Sequence, residues 1–379
     1  MSTQAPAPDA PAPQAPVGRR RALNSTLALR PRGLWLVISL ELRQRIRSKR
    51  WYIALAGWTV VLLGIGALGM APTLFTAQWG DVEPAAAMIF SLQIILVLFA
   101  MLLVVPALSA GSINGDRTAG TLATLQASLL SPLEIVLGKL LAGFATGMAF
   151  LVLALPSVIP IAVLGRIGPL YLLRIVVVIV LLTLCVTAVG LGLSAITNRQ
   201  LGSVVLAYVV VFGVTVVLPF AWASSAFFLQ YEREVTTYRT SYSDAEVDPV
   251  RCVETTRTET ISRVDLSMPL MWGNPVVLLA ETAPPMTGTY WGEDEGNADV
   301  LRMLKSGMRL TATIAHPAHN NSCEPGTEGY PDHLGEAPNR PLWPMGMALW
   351  MLAGAGSLGV ATWRLAIPIK RLGAGTRIA

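Results

Sequence analysis

Residues 51–71, WYIALAGWTVVLLGIGALGMA, contain no charge, and that run limits what the chain can fold into more than any other feature. As an α-helix it reaches about 31 Å at roughly 1.5 Å per residue, close to the thickness of a bilayer's hydrocarbon core. An open strand of the same residues would leave backbone groups unpaired in lipid, so the helix is the form open to it. Five further runs are of the same kind: 86–110, 135–164, 172–197, 201–222 and 344–363. Charged residues make up only 13% of the chain, against roughly 25% in soluble domains, too few to cover a water-facing surface. The sequence therefore predicts an all-α integral membrane protein with six transmembrane helices.

The charges are sorted along the chain, and their order predicts an orientation. Ten of the 28 basic residues precede Trp51: Arg19, Arg20, Arg21, Arg30, Arg32, Arg43, Arg45, Arg47, Lys49 and Arg50. By the positive-inside rule this block keeps the N-terminus in the cytoplasm, and six crossings return the C-terminus there. Segment 223–343 carries 17 acidic and 9 basic side chains and falls outside, between spans five and six, as an extracytoplasmic loop or small folded cap. Such sorting suits a multi-pass protein of the plasma membrane and excludes a nucleic-acid groove as the reason for the net charge of +5.

Residues 1–32 read as a cytoplasmic tail, rich in Ala, Pro and Gln at its start. In 33–50, Leu34, Leu36, Val37, Leu40, Leu42 and Ile46 interleave with cations. This predicts an amphipathic helix on the inner membrane face, or a plain topogenic charge block. Lys139 and Arg174, near the ends of their spans, can snorkel to the head groups. No carboxylate falls in the middle of a span, which weighs against a proton-coupled carrier, and no polar catalytic set at membrane depth suggests a membrane-embedded enzyme.

Between the second and third runs lies a polar stretch, GSINGDRTAGTLATLQASLLSPLEIVLGK, far longer than a turn requires. Gly111 and Gly115 permit a break after the second span. Leu122, Leu125 and Leu129 then fall three and four residues apart, one stripe of a short amphipathic helix over about 116–130. Ser131, Pro132 and Glu134 read as the start of the third span: an N-cap, a first-turn proline and a capping box. Such a helix is either a docking surface or a simple interfacial re-entry.

This stretch resembles the signature of the permease subunits of type-2 ATP-binding-cassette (ABC) exporters, carried by Asp116, Arg117, Gly120, Thr121, Leu122, Leu125, Ser131 and the run from Glu134 to Lys139. It departs at Thr118 and Ala119, where the family usually has acids, and at Leu129, where proline is common. ELRQRIRSKRWYIAL is similar to the family's elbow helix entering the first span, and LGLSAITNRQLGSVVLAYVVVFG to its fourth-to-fifth-span turn. The resemblance implies a non-catalytic permease within the lipid bilayer, paired with a second permease as homo- or heterodimer. It implies a coupling helix received by cytoplasmic ABC ATPase subunits, with Asp116, Arg117, Gly120, Thr121, Leu122, Leu125, Ser131 and Glu134 as the contact set. ATP and Mg would be bound by those partner subunits and no cofactor by this chain, which contains no G-x-x-x-x-G-K-[ST] loop. The alternative is a membrane sensor whose acidic outer loop binds a ligand.

The outer segment holds all three histidines, His316, His319 and His333, near Cys323 and Asp332. Their spacing matches no standard metal pattern, and the surrounding Pro, Gly and Asn favour a solvated loop. Cys252 and Cys323 share this outer segment, where an oxidising environment favours a disulfide between them, while Cys185 reads as a small apolar filler. MPLMWGNPVVLLAE, residues 268–281, is apolar but too short to span and reads as an interfacial or re-entrant element.

Overall fold

Every long apolar run forms a helix, and proline or an N-cap residue marks several of their starts. The computed structural model describes residues 27–75, 82–122, 125, 130–241, 251–285, 299–312 and 341–366. In chain order the helices are α1 (Pro31–Ile46), α2 (Lys49–Phe75), α3 (Val82–Ala110), α4 (Ser112–Thr118), α5 (Pro132–Leu164), α6 (Pro169–Ile196) and α7 (Gln200–Phe212). A π-helical turn, Gly213–Val217, joins α7 to α8 (Leu218–Phe228). Then follow strands β1 (Gln230–Ser241) and β2 (Arg251–Ser262), and helices α9 (Pro269–Trp272), α10 (Pro275–Ala280), α11 (Val300–Thr311) and α12 (Trp343–Leu365).

Six stretches are long and apolar enough to cross a membrane: Lys49–Thr73, Val82–Thr118, Pro132–Leu164, Pro169–Ile196, Gln200–Phe228 and Trp343–Leu365. They are the six expected. The second, of 37 residues, and the third, of 33, would reach about 55 Å and 50 Å at roughly 1.5 Å per residue. Both exceed a hydrocarbon core of about 30 Å, so these two stretches are long enough to extend past it.

Between helices the apolar effect is weak in lipid, and close packing with buried hydrogen bonds takes its place. Gln93, fully buried, donates its Nε2 to Leu62 O at 3.0 Å and to Ser157 Oγ at 2.9 Å, while Ser157 Oγ donates to the same Leu62 carbonyl. Spans one, two and three are thus pinned at one depth. Trp58 adds an Nε1 bond to Phe150 O at 3.0 Å.

The helix expected on the membrane face is present as α1, but the face it buries is turned to the third span. Contacts step forward together along both helices: Arg30 reaches Glu134, Val37 lies on Gly138, and Arg45 reaches Thr146. The two therefore run side by side in the same direction. Gly33, Val37 and Glu41 form the buried stripe, whereas Trp35, Leu36 and Leu40 stay exposed. Their apolar surface, set among Arg32, Arg43 and Arg47, is what remains for lipid.

The long segment between spans five and six contains a β-hairpin that the sequence did not reveal. β1 and β2 pair antiparallel, from Gln230 opposite Ser262 to Ser241 opposite Arg251. Cys252 stands opposite Thr240 in this ladder, and its expected partner Cys323 lies outside the described residues. So do the three histidines and Asp332. The apolar stretch 268–281 folds as α9 and α10, which are packed into the bundle. Trp350 of the last span donates Nε1 to Gly273 O at 2.8 Å. Asn274 caps α10, accepting from Val276 N and Val277 N, and donates its Nδ2 to Val214 O at 3.1 Å and Thr215 O at 3.4 Å. Those carbonyls belong to the π-turn of span five. Buried Glu281 grips Arg309 through two bonds of 2.9 and 2.8 Å, tying α10 to α11. Cys185 is a buried free thiol, as expected of a filler.

A Cβ at Gly138 would sit 2.6 Å from Val37 Cβ, nearer than packing allows, whereas one at Gly57 meets nothing within 4 Å. Gly138→Val is expected to cost about 1–3 kcal/mol through overpacking and to lower the melting midpoint of the purified protein. Gly57→Ala should leave it in place. An unchanged midpoint for Gly138→Val would show that α1 is not seated on the third span.

Candidate functional site

These two longest spans are joined by the polar stretch, and at this end of the bundle the chain concentrates its buried charge. The second span continues past a turn at Gly111 as α4 and ends at Ala119, with Gly120 in the left-handed region at φ 71°. Thr121, Leu122 and Leu125 are helical again; residues 123–124 and 126–129 lie outside the described residues. The break thus falls at Gly120. Asp116 and Arg117 belong to the extension of the second span, not to the short helix where the sequence reading put them.

At the other side of the junction Ser131 caps the third span as expected. Its hydroxyl accepts from Glu134 N at 3.1 Å, and Glu134 returns a carboxylate oxygen to Ser131 N at 2.8 Å. The second Glu134 oxygen accepts from Arg30 N at 2.6 Å and pairs with the Arg30 guanidinium at 3.3 Å. Ser131 Oγ also donates to Ala28 O. Both side chains are enclosed, Glu134 completely. They hold the segment before α1 against the start of the third span and offer nothing outward.

Lys139 is 2% exposed, so it does not snorkel. Its ammonium pairs with Glu41 of α1 and, at 2.6 Å, with Asp116 of α4. Arg45 stands 3.8 Å from Glu41 and donates to Thr146 Oγ1 at 2.7 Å. Burial lowers the Arg45 pKa while the Glu41 carboxylate opposes the shift. Two acids and two bases make a neutral cluster. Moving ions out of water costs several kcal/mol each, and such a group persists when every charge has a partner. The cluster joins three segments: the helix before the first span, the end of the second span and the start of the third.

A second knot forms beside it. Arg117 Nη1 donates to Asn114 Oδ1 at 2.9 Å and to Thr197 O, the end of the fourth span, at 3.1 Å. Buried Asn114 donates its Nδ2 to Thr197 Oγ1 at 2.9 Å and to Ser203 Oγ at 3.4 Å, and Ser194 Oγ accepts from its backbone N–H. Two leucines of the expected stripe turn inward, while the third, Leu129, lies outside the described residues. Leu122 is buried and Leu125 half-buried, packed with Ile113, Ile135, Leu140, Leu191 and Leu365. Among the described residues of the junction, the run Thr118–Thr121 is exposed.

Glu41, Asn114, Ser194, Thr197 and Ser203 were not singled out by sequence reasoning. A signal did exist for the first pair. Glu41 is the sole acid among the ten cations between Arg19 and Arg50, and Lys139 is the sole base in the third span. Each lone charge needs a partner to be buried. Among the described residues no group of three or more His, Cys, Asp or Glu converges as a metal site would require.

Six apolar helices braced by a charged junction at one end define a multi-pass membrane protein whose two longest spans form a single mechanical unit. The chain matches the model of the ABC-2 family transporter protein over residues 35–258, more than half its length, and belongs to that family. It is thus an ABC-transporter permease, the membrane component of a transport system. No curated protein matches the chain.

Removing one partner of a buried pair leaves an uncompensated charge. Lys139→Met should therefore destabilise the protein by about 3 kcal/mol, seen as a lower melting midpoint. Neutralising all four positions together, with Glu41→Gln, Asp116→Asn and Arg45→Gln added, should recover much of the loss. A quadruple variant no more stable than Lys139→Met would show that these charges do not act as one cluster.

Proposed function

We infer that this permease exports its substrate by taking up motion at the Gly111–Lys139 junction from separate cytoplasmic ATPase subunits. The observation that carries this is the buried cluster of Lys139 with Glu41 and Asp116, which makes three membrane-entering segments move together. A push on any of them reaches the first three spans at once. The ten basic residues before Trp51 support a cytoplasmic position for the junction. Family membership supports an ATPase partner, since the chain itself carries no phosphate loop.

The inward-facing leucines refine the expected contact set. Leu122 and Leu125 anchor the segment, while Ser131, Glu134 and Arg117 are engaged within the permease. The outward run Thr118–Thr121, including Gly120, is the face proposed for an ATPase cleft, with half-buried Asp116 at its edge. ATP and Mg act on those subunits. A second permease completes the pathway, and the fifth span, with only 6% of its most apolar window buried, is the face proposed for it.

Thr121→Arg should abolish co-purification of the ATPase subunit without lowering the melting midpoint. Leu122→Asp with Leu125→Asp should lose both the ATPase and several degrees of stability. A Thr121→Cys variant should react with a membrane-impermeant thiol reagent only from the cytoplasmic side. ATPase retained by Thr121→Arg, or labelling of Cys at 121 from outside, would defeat the reading. A cysteine at Val209, exposed on span five, should crosslink to a second permease chain; a product containing one chain only would remove that face from the interface.

A further inference from the structure

The end of the bundle opposite the charged junction holds an open cavity of about 470 Å³, lined by Arg166, Arg174 and Arg302 together with Glu83, Tyr171 and Leu170. Among the described residues the lining holds three arginines and one acid, Glu83, with Asp299 close to Arg302. Glu83 is engaged by Arg166 at 3.2 Å. Arg302 has a long contact, 3.7 Å, to Asp299, and its buried Nε makes no hydrogen bond among the described residues. Arg174 makes no ion pair among the described residues. Its exposed neighbours Leu170 and Leu173 are apolar. Among the described residues, even with Asp299 counted, three arginines meet two carboxylates, which leaves one positive charge in excess and donors to spare on Arg174 and Arg302.

The backbone at Arg166 points the same way. The third span ends in a Schellman turn: Ile167 N donates to Ala162 O at 2.9 Å and Arg166 N to Val163 O at 3.2 Å. Such a turn places one residue in the left-handed region, where glycine is usual. Here that residue is Arg166, at φ 46°, and the glycine stands one position earlier. Gly165 is needed where it is, because a Cβ there would lie 2.9 Å from Ala87 N. An arginine is kept in a conformation that disfavours it, at the mouth of the cavity, and such strain marks functional positions. Burial pushes the Lys305 ammonium on α11 down to about 8, with Arg309, Arg174 and Arg302 acting in the same direction and Glu281 against it.

We propose that this cavity is a binding site for a phosphoryl anion, held by Arg166, Arg174 and Arg302. Arginine's planar fork matches phosphate oxygens through paired hydrogen bonds, and the cavity is of the size that takes a small ligand or a lipid head group. On the orientation proposed above it opens on the outer face, where the phosphate comes from a lipid head group or from a solute. The binding itself does not depend on that orientation.

The test uses the full-length permease in two settings. In detergent, inorganic phosphate is titrated at constant ionic strength and binding is read by calorimetry. In nanodiscs, phosphatidylglycerol is compared with phosphatidylcholine, and retained lipid is read by native mass spectrometry. The expected result is saturable phosphate binding, enrichment of phosphatidylglycerol, or both. Phosphate binding alone identifies a solute, and enrichment that phosphate does not displace identifies a head group. Arg174→Gln should weaken whichever is seen by about tenfold, a loss of about 1.4 kcal/mol. Arg166→Gly should weaken it too while holding or raising the melting midpoint, because glycine suits the left-handed position. The second variant separates a binding role from a structural one. Neither anion bound by the wild type, or affinity unchanged in both variants, overturns the proposal.

Discussion

The ammonium of Lys139 is the point on which the architecture turns. It is buried seven residues into the third span, and a lone cation there would be intolerable without counter-charges. Glu41 and Asp116 supply them from two other segments, 98 and 23 residues away in the chain. That requirement explains the length of the second and third spans. Their ends must project from the lipid if a four-charge cluster, a capping box and the helix before the first span are to assemble outside the hydrocarbon. It also explains why α1 runs along the third span: Gly33, Val37 and Glu41 must all face Leu130, Glu134 and Gly138 for the ions to meet.

Electrostatics and packing divide the work by depth. At the junction, ion pairs and the Asn114–Arg117 knot fix the angles between segments. Within the lipid, bonds such as Gln93 to Leu62 and Ser157 hold neighbouring spans without any charge. At the far end, Glu281 and Arg309 join the short helices over the last span. Most buried polar groups in these regions find partners within the bundle, as a membrane interior demands, although Gln93 Oε1 and Ser91 Oγ have none among the described residues. The six spans are not equally enclosed by this bracing, and the fifth is the least buried of them.

The six spans were legible because lipid imposes a single rule on about twenty successive residues, and no tertiary contact is needed to read it. The Ser131–Glu134 cap was legible for the same reason, since all its partners lie within one helical turn. Partners separated by many residues were not. Nothing local pairs Glu41 with Lys139, so the sequence reading sent Lys139 to the lipid surface. It also placed α1 flat on the membrane, because interleaved cations and leucines look the same whether a helix meets head groups or another helix. The leucine stripe at Leu122 and Leu125 was seen, but periodicity does not say whether it faces a partner or its own core. The hairpin Gln230–Ser262 was missed although β-branched residues are frequent in both strands, because charges on both sides hid the alternation that marks a half-buried strand.

Span five contains one widened turn, and its consequence reaches beyond that helix. A π-turn shifts the hydrogen-bond ladder by a residue and leaves carbonyl oxygens that a neighbour can claim. Asn274 claims two of them, at Val214 and Thr215, while its own backbone neighbour Gly273 accepts from Trp350 of span six. The last two crossings are thus geared to each other through a single amide. Rotation of span five at Val214 and Thr215 would strain the bonds to the Gly273–Pro275 corner, and that corner also holds Trp350.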